Sequence, residues 1–211
     1  MIRLYDDTLS RNGYKVRLLL SHLGRPFDYV PVNITAGQSR TDEFLRKNIA
    51  GRIPVLELED GTLLPESGAM LFYLAQGTPF LPSSAIEAAQ VLRWMFFEQN
   101  QVECNLGGAR AWHKNGREFT LPEAFAQRVA QGAEALGVLN AHLSAHTWLA
   151  CDRFTIADIA VYGYVSCADE GGFDLSTYPA VAAWLARIAA LPAHVGPLWG
   201  SPQEPADQPA H

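Results

Sequence analysis

An α/β unit followed by an all-helical unit is the architecture this sequence predicts, and three observations predict it. Over roughly the first 77 residues, short apolar runs alternate with helical spacing and then pair about an Asp-Gly turn. Residues 77–84 (Gly-Thr-Pro-Phe-Leu-Pro-Ser-Ser) read as a linker by composition. Beyond them apolar residues recur at helical spacing, with no further strand pattern.

Residues 2–5 form a short apolar run that fits a first strand. Val16, Leu19, Leu20 and Leu23 then share one helix face, at i, i+3, i+4 and i+7, and Gly24 and Pro26 stop that helix. Residues 27–32 fit a second strand, so the first two strands should run parallel around a helical crossover. Thr41 can cap a short helix with Asp42 and Glu43 in its first turn and Arg46 and Lys47 at its end. Residues 55–58 and 62–64 flank Asp60-Gly61, a strong hairpin signal, and a helix begins near Ser67. In the second half the pattern predicts one long helix over 86–112. A second carries Phe125, Val129, Leu136, Leu139 and Leu143; a third opens at 154–158, and a fourth runs over 179–191. The expected division is 1–77, a linker at 78–84, a helical domain at 85–200 and a proline-rich tail at 201–211.

With 211 residues the chain can bury a substantial core. Its net charge of −6 and its lack of a basic block disfavour a nucleic-acid partner or an acidic membrane surface. No apolar run approaches the length of a membrane span, and no secretory signal is visible. Cys104, Cys151 and Cys167 are odd in number and far apart. They fit a reducing compartment, and a cytoplasmic protein is expected.

The stretch from Asn48 to Leu74 organises the functional reading. A proline at 54 donates no hydrogen bond, so the chain entering Val55 is expected at a sheet edge, where an extended peptide could pair. A helix starting near Ser67 would turn free N–H groups and a positive dipole end towards a carboxylate. Glu66 beside it could pair with an ammonium. A peptide carrying both groups would fit this ground.

Arg52-Ile53-Pro54-Val55 followed across one hairpin by Glu66-Ser67 resembles the glutathione-site signature of the soluble glutathione transferases. The resemblance covers about the first 200 residues. It implies a thioredoxin-like N-terminal α/β domain, an all-α C-terminal domain and a homodimer. It also implies glutathione as co-substrate, with no permanently bound cofactor, and a small hydrophobic electrophile as second substrate in a detoxifying conjugation.

Ser10-Arg11-Asn12-Gly13 lies between the first strand and the first helix, where dithiol oxidoreductases of this fold carry Cys-x-x-Cys. Ser10 and Gly13 occupy the two cysteine positions, which excludes exchange by this chain's own thiols there. A serine can instead donate its O–H to a bound sulfur. Half-ionising a thiol of pKa about 8.5 near neutral pH requires roughly 2 kcal/mol. A helix N-terminus supplies about 0.3–1 kcal/mol and a hydrogen bond to a charged acceptor about 1.5–3. Together these suffice without a base. Ser10 and Asn12 match the Ser/Thr-x-Asn motif of bacterial transferases, in which both positions are implicated. Ser10 also reads as a helix cap, and Tyr5, ending the first strand, is the rival activator.

The resemblance further implies that Arg52 meets the glycyl carboxylate of glutathione, that Gln38 contacts the tripeptide, and that Pro54 follows a cis bond. Ile53-Pro54-Val55 then offers main chain to the cysteinyl residue, with Val55 pairing antiparallel to it, and Glu66 and Ser67 hold the γ-glutamyl end. Thr155-x-x-Asp158 reads as a capping box and carries no expected chemistry. His142 and His146 have a metal pair's spacing without a third ligand, so no metal site is expected. Arg110 and Trp112 could border a second-substrate cleft. Glutathione conjugation is the leading expectation. Glutathione-dependent reduction of disulfides or peroxides, and a non-catalytic glutathione-binding or assembly module, are the alternatives.

Overall fold

A computed structural model describes residues 1–201 of the chain. Apart from Ser201, the proline-rich tail expected at 201–211 lies outside the described residues. The chain divides into two compact units. One joins residues 1–76 to residues 191–201, and the other spans 77–190.

The first unit is the thioredoxin-like α/β unit. Strands β1 (Ile2–Asp6), β2 (Phe27–Pro31), β3 (Val55–Glu57) and β4 (Leu63–Pro65) form one sheet in the order β2-β1-β3-β4. β1 and β2 are parallel, as a βαβ unit requires, while β3 runs antiparallel to β1 and to β4. The hairpin turns at Gly61, whose φ of 85° favours glycine, and Asp60 Oδ1 accepts from Thr62 N at 2.9 Å. Helix α1 (Arg11–His22) buries Val16, Leu18, Leu19 and Leu20 completely, and α3 (Ser67–Leu74) packs against it. Between them, α2 (Asp42–Leu45) is capped by Thr41, whose hydroxyl accepts from Phe44 N at 3.3 Å.

Residues 191–201 belong to this first unit rather than to the helical one, as a strap along α1. Tyr14 Oη donates to Val195 O at 2.8 Å and Ser21 Oγ to Ala193 O at 2.9 Å. Arg17 Nη1 donates to Pro197 O at 2.6 Å and Trp199 O at 2.9 Å. Strap main chain thus supplies acceptors for polar side chains that α1 would otherwise bury unpaired.

The second unit is all-helical, with α4 (Ala85–Phe97), α5 (Gly108–Lys114), α6 (Arg117–Thr120), α7 (Pro122–Leu143), α8 (Ile156–Val165) and α9 (Pro179–Ala189). The long helix expected over 86–112 is helical throughout but widens into a π-helix over Glu98–Gly107. Gly107 lies against Tyr164: a Cβ there would approach the ring to 2.6 Å. Asn105 Nδ2 also bonds Gln101 O at 2.8 Å, so a polar side chain competes for the helix's own carbonyls.

The capping box before α8 forms as expected. Asp158 Oδ2 accepts from Thr155 N at 3.0 Å, and Oδ1 accepts from Leu149 N at 3.1 Å and Trp184 Nε1 at 3.0 Å. Burial pushes this carboxyl up to about 6, against those hydrogen bonds. The His142 ring stacks on His146 at 4.2 Å and tilts against Trp94 at 4.7 Å. No cluster of three or more possible metal ligands exists among the described residues, and none of their helices is long and apolar enough to cross a membrane.

Candidate active site

The sheet register gathers the candidate residues at one end of the first unit. Tyr5, Val55 and Pro65 are cross-strand partners in one row. The chain leaving Tyr5 therefore leads to Ser10, the chain entering Val55 carries Arg52 and Ile53, and the chain leaving Pro65 gives Glu66 and Ser67. β2 ends at the same side, because it is parallel to β1, and its following loop holds Gln38.

Ser10 is the N-cap of α1, and its Oγ accepts from Gly13 N at 3.0 Å. Accepting at Oγ leaves the hydroxyl proton to donate, with the buried Asp6 carboxyl beside it as the acceptor within the fold that a bound sulfur would have to compete with. Ser67 is the first residue of α3, and its Oγ donates to Asn12 Oδ1 at 3.3 Å. That bond ties the starts of α1 and α3 together. Neither helix has an acidic residue in its first turn, so both positive ends stay uncompensated from within. Glu66, just before α3, is exposed and holds φ 72°, ψ 112°. Such a conformation costs a non-glycine residue about 1–3 kcal/mol and clusters at functional sites.

The expected edge at Val55 is not there. β3 is flanked by β1 on one side and β4 on the other, and Val55 is fully buried. Open main chain lies two residues earlier, at the partly exposed Ile53, outside any strand and just before the cis Ile53–Pro54 bond that the resemblance implied. Proline explained the missing donor, but the strand order decides which residue is uncovered.

Arg52 is exposed, and its carbonyl accepts from the buried Asn48 Nδ2 at 2.8 Å. Asn48 shapes this loop without having been singled out as a site residue; its Oδ1 also accepts from Ala50 N at 3.0 Å. Gly51 has φ 59°, and a Cβ there would lie 2.6 Å from Arg40 Nη1. Gln38 is exposed but committed in part to its own loop, since its Oε1 accepts from Asn33 N at 2.7 Å. Tyr5 is not placed as an activator. Its hydroxyl donates to Glu57 Oε2 at 2.5 Å, and its ring sits in a buried cluster with Val32, Phe44 and Val55.

Two buried residues near the site were not legible as such. Lys15, only 1% exposed, donates from Nζ to Asn12 Oδ1 at 2.7 Å. Asp6, fully buried, lies against Gly13, where a Cβ would sit 1.8 Å from its Oδ2. Burial pushes the Asp6 carboxyl up to about 7; the Arg17 guanidinium opposes this most, with smaller help from the Asp7 N–H and the Ser10 hydroxyl. Neither oxygen closes a hydrogen bond of good geometry among the described residues. Near neutral pH Asp6 therefore places less than a full negative charge beneath the start of α1. Beside it, a cleft of about 370 Å³ opens between Thr8 and Leu9 on one side and Val32, Asn33 and Thr35 on the other.

Sequence models of two domains match this chain: the glutathione S-transferase N-terminal domain over residues 4–80 and the C-terminal domain over residues 116–192. The chain belongs to the glutathione S-transferase family. Within that family, a crystal structure of a glutathione S-transferase from Pseudomonas fluorescens superposes with a TM-score of 0.91 at 44% identity, covering 93% of this chain and 98% of the other. The disulfide-bond oxidoreductase YfcG of Escherichia coli is 32% identical over 200 residues, 92% of each chain. A glutathione transferase from Burkholderia graminis, crystallised with two glutathione molecules per subunit, superposes with a TM-score of 0.83 at 29% identity over 97% of this chain and 89% of its own.

Proposed function

We propose that this protein is a glutathione transferase that binds glutathione at the sheet end described above and presents its thiolate to a small electrophile. The observation that carries this reading is the 3.3 Å bond between Ser67 and Asn12, which brings two helix N-termini within reach of one tripeptide. The γ-glutamyl carboxylate is received at the start of α3, with Glu66 towards its ammonium. The cysteinyl main chain pairs with Ile53 beside Pro54, while Val55 supports that turn from inside the sheet. Arg52 and Gln38 face the glycyl carboxylate. The sulfur lies near Ser10 and Asn12. Binding releases the thiol proton to water; the sulfur lone pair then forms the S–C bond as the leaving group departs with its electron pair. Exposed Phe72 and Tyr73 on α3 offer apolar surface for a second copy of the chain.

A second reading is glutathione-dependent disulfide reduction. It is favoured by the oxidoreductase relative and by the two glutathione molecules bound in the Burkholderia structure. There the thiolate attacks a mixed disulfide of glutathione, forming glutathione disulfide and releasing the other sulfur as a thiolate. Calorimetry with glutathione tests the shared site, and absence of binding overturns both readings. Turnover of a chloronitro-aromatic electrophile but not of a glutathionylated disulfide supports conjugation; the reverse pattern overturns it in favour of reduction.

A further inference from the structure

Asp6 ends β1 with its side chain wholly buried, and aspartate is almost never buried to this degree unless it is paired. Its pairing is incomplete. Arg17 Nε stands 3.4 Å from Oδ2, but the same guanidinium donates from Nη1 to the Pro197 and Trp199 carbonyls. The other ionisable groups facing it, Asp7 on the following loop and Tyr29 on β2, supply no counter-charge. Buried pairs of this kind can often be replaced by uncharged residues of similar volume without loss of stability, so stability alone does not account for an ionisable group here.

What lies beside the carboxyl is the start of α1. Asp6 approaches Gly13 so closely that a Cβ there would sit 1.8 Å from Oδ2, and the N–H of that same Gly13 donates to Ser10 Oγ at 3.0 Å. The Ser10 hydroxyl in turn favours the ionised form of Asp6. A serine hydroxyl has two acceptor lone pairs and one proton. The Gly13 N–H takes one lone pair, the proton is turned to Asp6, and the second lone pair is available to the hydrogen of a bound thiol. A thiolate and an ionised Asp6, by contrast, would compete for that one proton and repel each other.

We propose that Asp6 is a positioning residue and internal proton acceptor of this site, acting through Ser10, so that the glutathione thiol ionises by passing its proton inwards. The inference rests on the reading of Ser10 as the sulfur end of the glutathione site. In the step, the S–H bond breaks and its proton joins Ser10 Oγ, while the original Ser10 proton moves to an Asp6 oxygen. The sulfur keeps the electron pair, and negative charge passes from carboxylate to sulfur with no net change. The renewed Ser10 hydroxyl then donates to the thiolate. The thiol proton goes straight to water only where Asp6 already carries one. Otherwise Asp6 holds it until the sulfur has formed its S–C bond, and then yields it to water. Burial brings the two groups within range: a carboxyl at about 7 lies about 1.5 pH units below a thiol that ionises near 8.5, whereas an ordinary aspartate lies about 4.6 below it.

The test counts protons in the full chain. Glutathione binding is measured by calorimetry at about pH 8 in two buffers of different ionisation enthalpy, and ultraviolet absorbance reads the thiolate formed. The wild type is expected to stay within about 0.2 proton of zero per glutathione bound, because the site retains the proton. Asp6→Asn, which keeps the shape and cannot take a proton, is expected to release roughly 0.5–0.8. Its thiolate absorbance should rise with pH as a single titration, while that of the wild type levels off above about pH 7. A merely structural Asp6 would leave both readouts alike in the two proteins. If Asp6→Asn does not fold, infrared difference spectra of the wild type with isotope-labelled aspartate carry the test: the band of a protonated aspartate should grow as glutathione binds.

Release of about half a proton or more by the wild type, with thiolate formed, overturns the proposal. So does the absence of that infrared band, or a proton count in Asp6→Asn equal to that of the wild type. A wild type that binds no glutathione overturns the site assignment at Ser10 and this inference with it, whereas binding with full proton release overturns the inference alone.

Discussion

Asp6 and Arg17 form an ion pair with neither side chain exposed, Arg17 Nε lying 3.4 Å from Asp6 Oδ2. The guanidinium is shared, because its Nη1 is directed to the Pro197 and Trp199 carbonyls of the strap. The pairing therefore does not offset the cost of burying the carboxylate, and the Asp6 carboxyl stands at about 7 instead of 3.8.

A stability profile should show this. Between about pH 4 and 7 the folded chain holds a proton on Asp6 that the unfolded chain has lost. Stability from this group is greatest at the acid end and falls as pH rises through that window, by at most about 1.4 kcal/mol per pH unit. Asp6→Asn should flatten that limb in urea titrations. An unchanged slope would show that Asp6 ionises normally in the folded protein.

Gly13 is required by close approach, since any Cβ there would penetrate the Asp6 carboxylate. Gly13→Ala, although alanine favours a helix, should destabilise the protein by roughly 1–3 kcal/mol. Adding Asp6→Ala should recover much of that loss, and the non-additivity of the cycle, read by chemical denaturation, is the quantity that checks it.

Ser10→Ala should have two separable consequences. Removing the cap accepted from Gly13 N should cost about 0.5–2 kcal/mol of stability in a thermal melt. Bound glutathione should also ionise at higher pH. Ser10→Thr, which keeps the hydroxyl, should restore both; a stability loss with unaltered ionisation would confine Ser10 to the cap.

Arg52→Ala should weaken glutathione binding by about 2–5-fold, the range for an exposed ion pair. That loss should disappear when the glycyl carboxylate is esterified, because the charge it answers is then absent. Calorimetry with the two ligands distinguishes this from a general loosening of the loop.

Much of the fold is legible because its signals are local. The α1 apolar face, the Asp60-Gly61 turn and the Thr155–Asp158 box each specify their own geometry within a few residues. The less legible features depend on distant partners. Val55 loses its edge because β4 folds back beside β3. Gly107, at the end of the π-helical stretch, lies against Tyr164 of a distant helix, and Lys15 is buried although its type is usually exposed. The strap engages α1 through main-chain carbonyls, which every residue possesses, so no side-chain pattern announces it. Most of the candidate site was readable as a set of residues, whereas the direction each one faces was not.

The return of residues 191–201 to α1 bears on how this polypeptide can be recombined. A gene fragment ending at residue 76 would encode every strand of the sheet but not the carbonyls that Arg17, Tyr14 and Ser21 depend on. Chimeras with other members of the family should therefore exchange the two ends of the reading frame as a matched set and treat the helical portion as an insert between them.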